Sequence, residues 1–182
     1  PAGAGRSTGP PPLVVMLHGC TQDPDDFARG TGMNDLALDQ GCLVLYPAQS
    51  RKANAQGCWN WFKHSHQQRG RGEPALFASL VREVIDEHDG DPARVYVAGL
   101  SAGGAMALIV AEAYPELFAA VGVHSGLPAG VARDLPSAMQ AMQSGTGQPA
   151  QAGVVPTIVF HGDRDTTVHP RNGEQVAESQ SR

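Results

Sequence analysis

The sequence lacks the features that mark several classes of protein. Its 13 Lys and Arg residues form no basic block and the net charge is −5 at pH 7, so we expect no nucleic-acid partner. Its longest apolar runs have the length of a β-strand, far short of the ~20 residues that a membrane-spanning helix needs, so we expect no membrane partner. Its three cysteines show no C-x-x-C spacing, which argues against a cysteine-ligated metal.

The chain also opens without the apolar core of a signal peptide. The stretch PAGAGRSTGPPP is rich in proline and glycine and predicts a flexible approach over residues 1–12. Because the first residue is Pro1 rather than Met, we expect a processed or trimmed piece of a longer protein. A length of 182 residues suits one domain over residues 1–182 with a substantial core. Nothing in the sequence indicates the oligomeric state.

Short apolar runs alternate with helical patterns along the chain. This alternation is typical of an α/β fold with a mostly parallel sheet and helices on both faces. Five apolar runs predict strands, at residues 13–18, 42–47, 94–98, 119–124 and 156–161.

Helices are predicted between these strands. Residues 74–90 begin with a proline and end at a glycine, as helices often do. The buried face predicted for this helix consists of Leu76, Leu80, Val81, Val84 and Ile85. A helix of small residues follows residue 101, and a short helix is predicted at 131–143. Residues 144–153 predict a mobile linker.

The stretch GLSAGGAMA, residues 99–107, contains the pattern G-x-S-x-G. The pattern alone is weak, and a flexible glycine-rich loop is the alternative interpretation. Here, however, it follows a predicted strand and precedes a predicted helix, as a nucleophile elbow requires. We therefore predict Ser101 as a nucleophile, with small neighbours because the turn is tight. The backbone N–H of Ala102, at the helix start, is a predicted oxyanion donor.

A second oxyanion donor is expected from the loop that follows an earlier strand. The sequence MLHGC ends the first predicted strand, which makes the Cys20 N–H the candidate and Thr21 the next choice. His18 is interpreted as a structural imidazole that holds loop backbone, and not as a general base.

The acid of a catalytic triad is expected after a later strand. The sequence TIVFHGDRDTTV supplies Asp163 and Asp165. We favour Asp165 by its position in the loop, since Asp163 can instead cap the turn through its own backbone.

The cysteines admit more than one interpretation. Cys42 lies in an apolar run and is expected to be a core thiol. Cys20 and Cys58 lie in loop-like segments and can pair if the compartment is oxidising.

Several motifs together resemble one family. LHGCTQ, VLYPAQ, CWNWF, GEPA, RVYVAGLSAGGAMA, FAAVGVHSGLP and HGDRDTTVHPRNG are similar to the esterases of the polyhydroxybutyrate depolymerase family. These are α/β-hydrolases that neighbour feruloyl and acetylxylan esterases. The resemblance covers residues 13 to about 175.

The resemblance implies site residues and a fold. It supports Ser101 as nucleophile, Asp165 as acid and Cys20 as a residue of the oxyanion loop. It also makes Trp59 and Trp61 candidates for the substrate cleft, with plain core aromatics as the equal alternative. The family carries strands upstream of residue 13, so we expect a fold truncated at both ends.

The position of the histidine departs from the family pattern. In the family the catalytic histidine lies well beyond the acid, whereas only His169 follows Asp165 here, four residues away. We therefore expect the catalytic histidine beyond Arg182. Among the histidines that precede the acid, four are expected to be structural or are less favoured as the base: His64, His66, His88 and His124.

The leading hypothesis is a serine esterase that hydrolyses short-chain polyhydroxyalkanoates or their oligomers through an acyl-enzyme. A polyester or oligoester is then the partner, no metal or organic cofactor is implied, and the location is extracellular or periplasmic. A feruloyl or acetylxylan esterase is the alternative enzyme. A non-catalytic polymer- or carbohydrate-binding module is the alternative from another class.

Overall fold

A computed structural model describes residues 9–145, 153 and 155–181. Within them, five strands form one sheet in the order β2-β1-β3-β4-β5, and every pairing is parallel. The strands are β1 (Leu13–Leu17), β2 (Leu43–Leu45), β3 (Val95–Leu100), β4 (Ala120–His124) and β5 (Thr157–Phe160). Each predicted strand is confirmed to within two residues at either end. The α/β class is confirmed as well.

The register brings the carboxyl ends of the strands to one edge of the sheet. Leu17, the last residue of β1, pairs with Gly99 of β3, and Gly99 in turn pairs with Val123 of β4. His124, which ends β4, pairs with Phe160, which ends β5. In open parallel sheets, ligands bind outside this edge. The loops that leave these four strands are therefore neighbours.

Six α-helices and one short 3₁₀-helix (His64–His66) connect the strands in the described part of the chain. The α-helices are α1 (Pro24–Thr31), α2 (Met33–Gln40), α3 (Gly72–Glu87), α4 (Ala102–Ala113), α5 (Leu135–Ser144) and α6 (Arg171–Gln180). The sequence analysis did not anticipate α1 and α2. They are short helices fixed by their ends: Asp23 caps the N-terminus of α1, while Gly32 and Gly41 end the two helices with φ of 61° and 68°.

The core is centred on α4, which packs against β1, β3 and β4. Its residues 102–111 are all buried, so it has no polar face. Helix α3 packs on α4 through Phe77, Val81 and Ile85, which are at most 9% exposed. Leu76, predicted on that face, is 62% exposed. The prediction was wrong there because Phe77 takes the inward position.

The end of the N-terminal approach is held to the sheet. The carbonyls of Pro11 and Pro12 accept hydrogen bonds from Asp91 N and Leu43 N, each at 2.8 Å. Residues 1–8 of the predicted flexible approach lie outside the described residues. Most of the predicted linker over 144–153 lies outside them too, since the structure describes only Ser144, Gly145 and Gly153 there.

None of the described helices combines the length and the apolar character that a membrane crossing requires. The described residues also include no group of three or more His, Cys, Asp or Glu placed to hold a metal ion.

Candidate active site

Ser101 lies in the turn between β3 and α4, with φ 56° and ψ −117°. A positive φ is uncommon for a residue with a side chain and stores strain of about 1–3 kcal/mol. The surrounding structure holds this conformation: Ser101 N donates to the His124 carbonyl at 2.9 Å, and the Ser101 carbonyl accepts from Ala105 N at 3.0 Å. This is the geometry that a nucleophile elbow requires.

The glycines around Ser101 are required by close backbone contacts. A Cβ atom on Gly99 would collide with the backbone of Gly103. A Cβ on Gly103 would collide with the Leu17 carbonyl and lie 2.6 Å from the His18 oxygen, closer than real Cβ atoms come. The first turn of α4 is therefore pressed directly against the end of β1.

The loop that follows β1, residues 18–21, is the candidate oxyanion loop. It passes close to the elbow, because a Cβ on Gly19 would lie 3.5 Å from the Leu100 carbonyl oxygen. Thr21 N donates to the Gln56 carbonyl at 2.9 Å. The amide of Thr21 is thus already used, which favours Cys20 as the donor from this loop.

His18 is buried in this loop and holds its backbone. Its Nδ1 lies 2.8 Å from the Gly19 carbonyl oxygen, and Gln49 N donates to its Nε2 at 3.4 Å. The ring is 1% exposed. These contacts agree with the structural role that the sequence indicated.

A disulfide joins Cys20 to Cys58, with the two Cα atoms 4.2 Å apart. It ties the candidate oxyanion loop to the segment that contains Trp59 and Trp61. The pairing that the sequence left open is therefore present. Cys42 is free and half-buried.

This disulfide should contribute strongly to stability. Cys58→Ser is expected to lower the free energy of unfolding by about 2–5 kcal/mol, because the bridge joins residues 38 positions apart. Urea unfolding followed by tryptophan fluorescence measures the change. Cys42→Ser is the matched control, and a Cys58→Ser variant as stable as that control would contradict the prediction.

Trp59 and Trp61 are both buried, at 3% and 5% exposure. The indole N–H of Trp59 donates to the His18 carbonyl at 2.9 Å, and its ring packs edge-on against Phe77 at 5.0 Å between centroids. Trp61 packs edge-on against Phe62. This burial favours the core interpretation over direct lining of a substrate cleft.

Asp165 lies in the loop after β5, held from several sides. Its Oδ1 accepts from Thr167 N and Val168 N, each at 2.9 Å. Burial by itself raises the pKa of this carboxyl. The amides of Val168 and Thr167, the Ser125 hydroxyl and nearby His161 act in the other direction and bring the pKa below its usual value. Asp165 is therefore ionised at neutral pH, as a residue that orients an imidazolium must be.

Ser125, which follows β4, links Asp165 to the elbow. Its hydroxyl is close enough to Asp165 to help lower the pKa of that carboxyl, and the backbone carbonyl of its neighbour His124 accepts the Ser101 N–H. Ser101 and Asp165 thus flank the end of β4 on neighbouring strands. Asp163, the alternative acid, is exposed.

Two histidines lie near Asp165. His161 is 7% exposed and its Nε2 is 2.8 Å from the Val168 carbonyl and 3.5 Å from Asp165 Oδ2. Through these contacts the buried His161 ring holds the loop that carries Asp165. His169 lines, together with Asp165, a cavity of about 790 Å³ beside α6, but its Nδ1 accepts from Arg171 N at 3.2 Å. Ser101 is not among the residues lining this cavity, so we do not assign the cavity to the chemistry.

The remaining four histidines lie elsewhere, and His18 has been described above. His64 and His66 belong to the 3₁₀-helix, His88 ends α3, and His124 stacks on Phe160 at 6.3 Å. Among the described residues, no histidine side chain is hydrogen-bonded to Ser101.

The family model for the esterase PHB depolymerases matches residues 1–182, the whole chain. The chain belongs to this esterase family. Among curated relatives, poly(3-hydroxyalkanoate) depolymerase C of Paucimonas lemoignei is 35% identical over 92% of this chain and 44% of its own length. Feruloyl esterase B of Thermothelomyces thermophilus is 32% identical over 91% of this chain and 63% of its own.

A solved acetyl xylan esterase from Aspergillus awamori superposes with a TM-score of 0.83 at 26% identity. The match covers 99% of this chain and 72% of that one. The chain thus spans roughly half the length of the curated esterases it matches, 44% and 63% for the two named above. The resemblance stated from the motifs is confirmed, and so is the α/β-hydrolase fold.

Three residues around the candidate site were not predicted from the sequence. Ser125 and His161 lie beside Asp165, and both follow strand ends directly, which was the available signal. Glu73 is buried in the first turn of α3 and binds Gln49, whose backbone N–H donates to His18 in the candidate oxyanion loop. An acidic residue in the first turn of a helix usually interacts with the helix dipole in solvent, so its burial had no signal in the sequence.

Proposed function

We propose that this chain forms the catalytic core of a serine esterase that hydrolyses short-chain polyhydroxyalkanoates or their oligomers. The observation that carries the proposal is the strained backbone of Ser101, φ 56° at a strand-to-helix turn. The proposed substrate class is supported by the 35% identity to a poly(3-hydroxyalkanoate) depolymerase.

The proposed reaction proceeds in two steps. The Ser101 oxygen bonds to the ester carbonyl carbon while an imidazole takes its proton, and the alcohol leaves with that proton to give an acyl-enzyme. Water then attacks the acyl carbon while the imidazole takes its proton, and that proton passes to the Ser101 oxygen as the bond to the acyl group breaks and the acid is released. The amides of Cys20 and Ala102 stabilise the oxyanion in both steps.

Asp165 is the proposed orienting carboxylate, because it is ionised at the carboxyl edge of the sheet. The proposed general base is a histidine, and none of the histidine side chains among the described residues is hydrogen-bonded to Ser101. The Cys20–Cys58 disulfide supports an extracellular or periplasmic location, since disulfides persist in oxidising compartments.

An acetylxylan or feruloyl esterase is the second candidate. It is favoured by the TM-score of 0.83 with the acetyl xylan esterase and the 32% identity to feruloyl esterase B.

Two measurements on the complete protein test the proposal. A fluorophosphonate probe should label Ser101, identified by peptide mass spectrometry, and hydrolysis of 3-hydroxybutyrate oligomers should exceed that of acetylated xylan and methyl ferulate. Faster release of acetate or ferulate would select the second candidate. An unlabelled Ser101 with no ester hydrolysis would instead indicate a non-catalytic binding module.

A further inference from the structure

Glu73, in the first turn of α3, is a carboxylate that is only 8% exposed. Its Oε1 accepts from Gln49 Nε2 at 2.5 Å and from Asn60 Nδ2 at 2.7 Å, and its Oε2 accepts from Asn60 N at 2.7 Å. His66 Nδ1, 3.7 Å from Oε2, accepts the Glu73 N–H. A buried charge is costly unless it is well paired. Here the carboxylate accepts hydrogen bonds from two separate positions of the chain, Gln49 and Asn60.

Gln49 connects this carboxylate to the oxyanion loop. The same Nε2 that binds Glu73 also donates to the Cys58 carbonyl at 2.9 Å. The Gln49 backbone N–H donates to His18 Nε2. Because Nε2 accepts, the proton of the neutral ring is on Nδ1, which then donates to the Gly19 carbonyl at 2.8 Å.

A second connection runs through the segment of residues 58–60. Asn60, whose backbone and side chain both bind Glu73, is 1% exposed. Its neighbour Trp59 donates to the His18 carbonyl, and Cys58 is bonded to Cys20. The carboxylate is therefore connected to the loop that carries the Cys20 amide in two ways, through Gln49 and through the segment of residues 58–60.

We propose that Glu73 is a positioning residue for the oxyanion loop, acting through Gln49 and His18. The inference rests on the proposed function, in which the Cys20 amide stabilises the oxyanion. The three groups that hydrogen-bond the carboxylate are all donors, so both side-chain oxygens of residue 73 must act as acceptors. An amide of the same shape would turn an N–H₂ group toward one of these donors.

Glu73→Gln is the sharp test for this reason. In the complete protein it should lower kcat for a p-nitrophenyl ester by about 10- to 100-fold, since displacing a donor by part of an ångström weakens transition-state binding. KM should stay within about twofold. The inhibition constant of a trifluoromethyl ketone, whose adduct resembles the tetrahedral intermediate, should rise as kcat/KM falls.

The matched control is Glu112→Gln. Glu112 is a partly buried carboxylate of α4 that also accepts from a glutamine, Gln180 Nε2 at 2.9 Å, and this hydrogen bond joins it to α6 rather than to the oxyanion loop. Its kcat and inhibitor affinity should match those of the wild type. If Glu73→Gln does not fold, Gln49→Met replaces it, because this change cuts the side-chain connection while Asn60 still binds Glu73.

The possible outcomes separate the two proposals. Loss of hydrolysis in Ser101→Ala supports the esterase proposal. If Glu73→Gln then keeps wild-type kcat and inhibitor affinity, the positioning role is wrong while the esterase proposal stands. The same holds for Gln49→Met where it replaces Glu73→Gln. A variant that loses only thermal stability would overturn the positioning role equally. If hydrolysis does not depend on Ser101, both proposals fail together.

Discussion

Ser101→Ala is expected to lower kcat for ester hydrolysis by roughly 10⁴-fold or more. The variant removes the atom that attacks the ester and leaves the oxyanion donors in place. The turn should survive, because its backbone is held by His124 and Ala105 through main-chain hydrogen bonds. The free energy of unfolding should therefore change by no more than about 0.5 kcal/mol.

Steady-state kinetics with a p-nitrophenyl ester and urea unfolding measure these two quantities. Ser79→Ala is the control, since Ser79 is exposed on α3. A Ser101→Ala variant that retains most of its activity would remove Ser101 from the mechanism.

Gly103→Val should damage both folding and catalysis. Its Cβ would meet the carbonyl groups of Leu17 and His18, which are backbone atoms at the end of a paired strand and cannot rotate away. We expect the free energy of unfolding to fall by about 3 kcal/mol. The activity of the folded fraction should fall about 100-fold, because the elbow and the oxyanion loop are forced apart.

Gly30→Val provides the comparison for this substitution. A Cβ on Gly30, in α1, meets nothing within 4 Å, so that variant should keep its activity. Thermal unfolding followed by circular dichroism and steady-state kinetics compare the stability and the activity of the two variants. A soluble, fully active Gly103→Val protein would show that the contact between α4 and β1 is not required.

The sheet and the elbow were predictable for a physical reason. Strand β1 is buried along most of its length and shows as a continuous apolar run, and only small residues fit between β3 and α4. Helices α1 and α2 were missed because each has only eight residues, too few to show a clear helical period, so their ends define them. Leu76 and Phe77 are adjacent apolar residues, and the sequence does not reveal which of the two faces inward.

The supporting contacts of the site were not predictable in the same way. Glu73 meets Gln49 and Asn60, which are 24 and 13 residues away in sequence. Those contacts exist only once α3 has packed beside the long segment that follows β2. His161 likewise binds the loop of Asp165 only when that loop has folded back to place Val168 beside it.

The strand order has a consequence for the kinetics of folding. The centre of the sheet pairs β1 with β3, so that Leu13 lies beside Val95 and a long stretch of chain must be closed before that pairing forms. Such distant pairing slows folding. The turn at Ser101 needs β1, β3, β4 and α4 together, since His18, Gly99 and His124 all press on it. We therefore expect the reactivity proposed for Ser101 to appear late in folding, after most secondary structure is in place.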